Sequence, residues 1–277
     1  MAIVKGFDPA PSGQEPETGS GEPVPVGVWG DSDSGVGVFG TSGVLPPDTL
    51  IAIDGPAGSG KTTVSRLVAQ RLGYVVLDTG ALYRTLALAT SRAGLEPGRD
   101  DLGPFCNELV ERDAIVFQAA PDGISRVLLD GEDVSVAIRT PEMSSRASVV
   151  SALPAVRQAL LALQRAMGQG GGVVVEGRDI GTVVFPDADC KFFLTASLDR
   201  RAERRFRELT TRDPPSLLSV KDQVAERDQR DSERAVAPLA QAADAELLDS
   251  SDLGIEQVVE RIVRSVRRTE AKLKASP

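Results

Sequence analysis

Residues 50–73 constrain the fold more tightly than any other part of the chain. Leu50-Ile51-Ala52-Ile53-Asp54 is a short apolar run of strand character, and Gly55-Pro56-Ala57-Gly58-Ser59-Gly60-Lys61-Thr62-Thr63 follows it. Val64, Leu67, Val68 and Leu72 then recur at helical spacing up to Gly73. A strand that turns through glycines into a helix brings several backbone N–H groups to one point, at the partially positive helix N-terminus, which makes an anion site. The spacing fits G-x-x-x-x-G-K-[ST] in its required strand-to-helix context. In that pattern the lysine, here Lys61, reaches the β- and γ-phosphates, and the hydroxyl, here Thr62, ligates Mg²⁺. Gly55 to Thr63 therefore read as the cradle of a Mg-bound nucleoside triphosphate.

The later pattern repeats the strand–helix alternation. Strand-like runs fall at 74–78, 173–175, 191–195 and 245–248, with helical periodicity at 80–93, 154–167, 197–209 and 255–274. Such alternation predicts an α/β fold, a parallel sheet covered by helices on both faces. Residues 105–150 break the series. Runs at 115–118 and 125–129 flank Ala120-Pro121-Asp122-Gly123, and Asp130-Gly131 marks another turn. This predicts a small antiparallel meander with a helix on either side, inserted into the parallel core.

Composition separates a tail from this body. The first 48 of the 277 residues hold ten of the 27 glycines, seven of the 18 prolines and seven acids against Lys5 alone. Most of the net charge of −9 thus belongs to the tail, whose composition predicts disorder. Alternating Val24, Val26 and Val28, a turn at Asp31-Ser32-Asp33-Ser34-Gly35, and Val36 and Val38 suggest at most a marginal hairpin there. Trp29 then lies outside the core of the body. With no histidine in the chain, Ser-His-Asp and Cys-His catalysis and His-ligated metals are excluded. Cys106 and Cys190 are too few for a zinc cage; one disulfide is open to them, but they read better as buried small hydrophobes in a reducing compartment. No apolar run reaches spanning length and no secretory signal is evident, so a soluble, cytoplasmic protein is expected. A switch GTPase would require N-K-x-D, which does not occur.

Three arginine-bearing segments remain. Leu77-Asp78-Thr79-Gly80-Ala81-Leu82-Tyr83-Arg84 turns from a strand into a helix, and Val173-Val174-Val175-Glu176-Gly177-Arg178-Asp179 ends another strand. In a helical 226–234, Arg227, Asp231 and Arg234 share one face. Alone, the last segment reads equally well as a solvated, salt-bridged face, and Arg84 as half of a surface ion pair. Beside a triphosphate cradle they read as cations around a transferring phosphoryl group. An acceptor that is already a phosphate dianion needs no strong base, so the lack of histidine is no bar to this chemistry.

Together these strings resemble the bacterial cytidylate kinases. Further matching stretches are Leu129-Asp130-Gly131-Glu132-Asp133-Val134, Ile138-Arg139-Thr140, Ile180-Gly181-Thr182-Val183-Val184-Phe185-Pro186 and Arg234-Ala235-Val236-Ala237-Pro238-Leu239, and the likeness spans about 50–270. The resemblance implies a five-stranded parallel core (49–104, 151–210 and 238–277), a CMP-binding insert at 105–150 and a mobile lid at 211–237. It implies ATP and CMP or dCMP as substrates with Mg²⁺, and no nucleic-acid polymer or membrane as partner; a monomer is expected. Arg84 and Arg178 would hold the CMP phosphate, with Thr79 (serine in many relatives) and Tyr83 beside them. Ser148, Arg157, Asp179 and Arg234 would surround the cytosine, and Asp231 with Arg227 would contact ribose and phosphates. The catalytic cations would be Lys61, Arg178, Arg227 and Arg234. Arg201 and Arg204 would either contact ATP or form surface ion pairs with Glu203 or Glu208. Cytosine offers an N4 donor beside N3 and O2 acceptors, so Asp179 can accept while Arg and Ser donate. A kinase of a small hydroxylated metabolite is the competing reading, and a nucleotide-dependent binding module without turnover is the remote one.

Overall fold

The computed structural model describes residues 49–97, 102–118, 126–209 and 215–275. The acidic tail, the alternation at 24–38, Trp29 and the turn at 120–123 lie outside them.

Five parallel strands form the main sheet: β1 (Leu50–Asp54), β2 (Val75–Asp78), β6 (Val173–Gly177), β7 (Cys190–Thr195) and β8 (Glu246–Asp249). Their order is β2-β6-β1-β7-β8, with Ile53 opposite Glu176 and Phe192. The chain leaves central β1 for β2 on one side and later returns for β7 on the other. Where the connections diverge, the carboxyl ends of the strands open a crevice, the usual place for ligands in such sheets.

Strand periodicity sorts the core. Ile51 and Ile53 point to one face, where Val64 and Val68 of α1 (Lys61–Leu72) meet Val259, Ile262 and Val266 of α8 (Ile255–Ala275). Ala52, Leu77 and Val175 point to the other, under Ile180 and Val184 of a π turn (Ile180–Val184). Each such side chain, fully withdrawn from water, is worth about 1.5–3 kcal/mol before chain entropy is counted.

The second core joins α2 (Thr79–Arg92), α3 (Leu102–Glu111), α4 (Pro141–Val150) and α5 (Pro154–Met167) to the meander β3 (Ile115–Gln118), β4 (Arg126–Leu129) and β5 (Glu132–Asp133). Leu82 and Leu86 of α2 meet Leu102, Cys106, Leu109, Phe117 and Leu160 there. Asp130 (φ 52°) and Gly131 (φ 82°) are both left-handed at the β4–β5 turn, the conformation a tight hairpin requires. Both cysteines are buried and unpaired. The chain closes the crevice with α6 (Leu198–Glu208) and α7 (Leu217–Glu233). Arg234 is therefore not on the helical face expected for it: α7 ends one residue earlier, and Arg234 has extended backbone (φ −60°, ψ 139°).

Candidate active site

The loop between β1 and α1 is shaped from both sides. Gly55 packs so closely on β7 that a Cβ would come within 2.0 Å of the Leu194 carbonyl oxygen, so only glycine fits. Gly60 precedes α1 with φ 92°. Lys61 Nζ lies over the loop and donates to the Pro56 carbonyl (2.8 Å) and Ser59 Oγ (3.3 Å). Arg204, on α6, buttresses the loop from outside: Nη1 donates to the Ser59 carbonyl (3.1 Å) and Ser250 Oγ (3.0 Å), and Nη2 to the Ser250 carbonyl (2.7 Å). Arg201 has neither surface partner expected of it. It is buried, donates to the carbonyls of Ala196 (2.9 Å) and Ala57 (3.1 Å), and pairs with Asp228 of α7. Asp228 in turn accepts from the Ala57 amide (3.1 Å), so Arg201 and Asp228 together hold both backbone polar groups of one loop residue.

A cleft of about 390 Å³ runs from this loop along the ends of β2 and β6 to α4 and α7. It collects all the proposed CMP contacts and, from the loop, Ala57, Gly58 and Gly60 through Thr63. Gly55, Pro56, Ser59 and Arg204 stand behind it. At its middle, Asp78 caps α2 by accepting from the Ala81 amide (3.0 Å) and pairs with Arg84 (2.8 Å). Arg178 Nε donates to Asp231 (2.8 Å), and Arg227 Nη1 donates to Ser144 Oγ (2.8 Å). The Nε groups of Arg84 and Arg227 are buried and take no partner among the described residues. Burial, then neighbouring Arg178, pushes Lys61 well below the ordinary lysine range. The same two causes push Arg227 down to about 10. Lys61 and Arg227, both depressed beside Arg178, and the spare Nε donors of Arg84 and Arg227 suit this part of the cleft to an anion.

At the far end one carboxylate stands between two guanidiniums. The Asp179 carboxylate pairs with Arg157 through one oxygen and with Arg234 through the other (3.0 Å), all three being nearly inaccessible. Arg157 Cζ lies 5.6 Å from the Tyr83 ring centroid, a cation–π contact, and burial raises the Tyr83 phenol. Both Asp179 and Arg178 depend on β1: the Asp54 oxygens accept the next amides along, Ile180 N (2.8 Å) and Gly181 N (2.7 Å). Burial nevertheless lifts the Asp54 carboxyl to about 6.

Sequence reasoning missed several residues here. Glu176, at the end of β6, is buried; one carboxylate oxygen accepts from Thr62 Oγ1 (3.1 Å) and the other is unpartnered among the described residues. Burial, then Asp78, raises its carboxyl. Its place at a strand end was the available signal. Asp228, Ser144 and Arg230 had none, since their roles arise only where α7 meets the loop and α4. The described residues hold no cluster of three or more side chains able to ligate a metal. The Thr62 hydroxyl beside a spare buried carboxylate oxygen fits Mg²⁺, which keeps waters and phosphate oxygens as its other ligands.

This sheet order, loop and arginine-lined cleft define a P-loop phosphotransferase. The sequence model described as cytidylate kinase matches residues 51–268. A cytidylate kinase of Geobacter sulfurreducens is 50% identical over 80% of this chain and 94% of its own, and one of Syntrophotalea carbinolica is 51% identical over 78% and 91%. The chain belongs to the cytidylate kinase family, whose members are kinases using ATP with Mg²⁺. Among solved structures, a shikimate kinase of Acinetobacter baumannii aligns at TM-score 0.39 and 15% identity, covering 80% of this chain and 95% of its own. No single helix among the described residues is long and apolar enough to cross a membrane.

Proposed function

We propose that the chain transfers the γ-phosphoryl group of ATP to CMP or dCMP, giving ADP and CDP or dCDP. The observation that carries this reading is one cleft in which the phosphate loop, the cations Lys61, Arg84, Arg178 and Arg227, and the Arg157–Asp179–Arg234 group follow one another. The loop amides and Lys61 hold the triphosphate. Arg84 and Arg178 fix the CMP phosphate in line with it, and Arg227 adds charge where the equatorial oxygens spread theirs. Asp179 accepts from cytosine N4 while Ser148, Arg157 and Arg234 donate to its acceptors; the O4 of uracil would face the carboxylate unfavourably. Bound through Thr62, with Glu176 reaching its water shell, Mg²⁺ would neutralise charge on the β- and γ-oxygens.

In this reading 105–150 is the monophosphate-binding insert and 211–237 the lid. Asp228 on the loop amide and Arg227 on Ser144 supply its docking points, and a docked lid keeps water from the γ-phosphate. A cytoplasmic monomer acting on free nucleotides belongs to the same proposal. A coupled ADP-release assay over CMP, dCMP, UMP, AMP and shikimate tests it. Fast turnover confined to CMP and dCMP is expected, and preference for UMP, AMP or shikimate would overturn the substrate assignment.

A further inference from the structure

Arg230 belongs to no string that suggested a role for it, yet it lines the cleft on the same side of α7 as Arg227. Its Nη1 donates to Ser148 Oγ at 2.8 Å, one helical turn along α4 from the Ser144 hydroxyl that receives Arg227. Ser148 is buried, and its hydroxyl makes no other hydrogen bond among the described residues. A serine hydroxyl has one proton and two acceptor lone pairs, whereas a guanidinium only donates. Engaged by Arg230, the Ser148 oxygen must accept, and its single proton is left to point elsewhere. The open direction is the cleft, towards Arg157, Asp179 and Arg234.

We propose that Arg230 is a positioning residue for base specificity: it takes one lone pair of Ser148 Oγ, and because no described residue accepts from that hydroxyl, its proton is satisfied only by donating towards the base. The inference rests on the reading above that Ser148 faces the nucleobase. A freely rotating hydroxyl would serve either pyrimidine, donating to cytosine N3 or accepting from uracil N3–H. One fixed as a donor suits cytosine and sets two donors against each other in uracil. Because Arg230 rides on α7, the proton is fixed only while that helix sits against α4. The base is thus checked by the same contact that completes the site.

The test measures kcat/KM for CMP and UMP in the full chain and in Arg230→Met, Arg230→Lys, Ser148→Ala and the Arg230→Met/Ser148→Ala double variant. Arg230→Met should lower the CMP-to-UMP ratio about tenfold, the size of one mis-set buried hydrogen bond. Arg230→Lys, still a pure donor, should keep most of the ratio, and Arg230→Met should cost nothing further once Ser148 is alanine. An unchanged ratio in Arg230→Met overturns the proposal, as does an equal loss in both backgrounds. If Ser148→Ala itself leaves the ratio unchanged, Ser148 does not read the base, and both that reading and this proposal fall. A merely structural Arg230 would lower both substrates together and leave the ratio where it was.

Discussion

Replacing Asp179 by asparagine keeps the shape of the side chain and removes its charge. The carboxylate stands between two guanidiniums, with side-chain exposures of 6% for Asp179, 7% for Arg157 and 3% for Arg234, so solvent can screen little of what is lost. Withdrawing one partner from a buried ion pair costs about 3–5 kcal/mol, because the other charge stays buried without compensation. Here two like charges remain facing each other across an amide. A domain of this size loses about 2–4 °C of melting midpoint per kcal/mol, so Asp179→Asn should melt about 10 °C lower. The same variant replaces a pure acceptor at cytosine N4 by a group that can also donate to uracil O4, and the CMP-to-UMP ratio should fall by about tenfold or more. Calorimetry and the coupled assay read the two effects separately. A midpoint within about 2 °C of the parent would refute the buried-pair energetics. A lower midpoint with an unchanged ratio would leave Asp179 a scaffold and refute its part in reading the base.

Other outcomes follow from the same geometry. Arg178→Ala should lower kcat by about 10³, the scale of a transition-state arginine, with less effect on the KM for ATP; full activity would remove its role. Thr62→Val should raise the Mg²⁺ concentration needed for half-maximal rate, measured by titration against fixed ATP, and an unshifted titration would exclude Thr62 as a ligand. The Asp54 carboxyl, lifted by burial from 3.8 to about 6, binds its proton more tightly in the folded chain than in the unfolded one. Its contribution to stability therefore falls as pH rises from about 4 to 6, by about 3 kcal/mol at 1.36 kcal/mol per unit. Denaturant titrations should show Asp54→Asn gaining on the parent across that interval, and parallel pH profiles would contradict the shift.

How much of this was legible in the sequence varied with the range of the interactions. The β1–loop–α1 unit was readable because glycine placement, lysine and helical period lie within 24 residues and each has a local cause. Arg84 alone reads better as half of a surface ion pair and gains its proposed role only in company, Arg178 takes its from the strand end it follows, and Asp179 takes its from the family resemblance. The position of Arg234 was not readable. Helical spacing placed it on a face with Arg227 and Asp231, but α7 stops at Glu233, and the extended backbone beyond turns Arg234 back onto Asp179. The ion-pair partner of Arg201 was not readable for a similar reason: local acids at 203 and 208 were the visible ones, whereas Asp228 comes from α7. Asp228, Ser144 and Arg230 carry no local signal, because polar residues on a helix face acquire meaning only from what is laid against them.

The most direct measurement of the central claim is ³¹P NMR of a reaction holding equal ATP and CMP with Mg²⁺ and the full chain. The account predicts that the β-phosphate resonance of CDP grows one for one with that of ADP, with no matching rise in inorganic phosphate. ADP and inorganic phosphate rising together without CDP would contradict it.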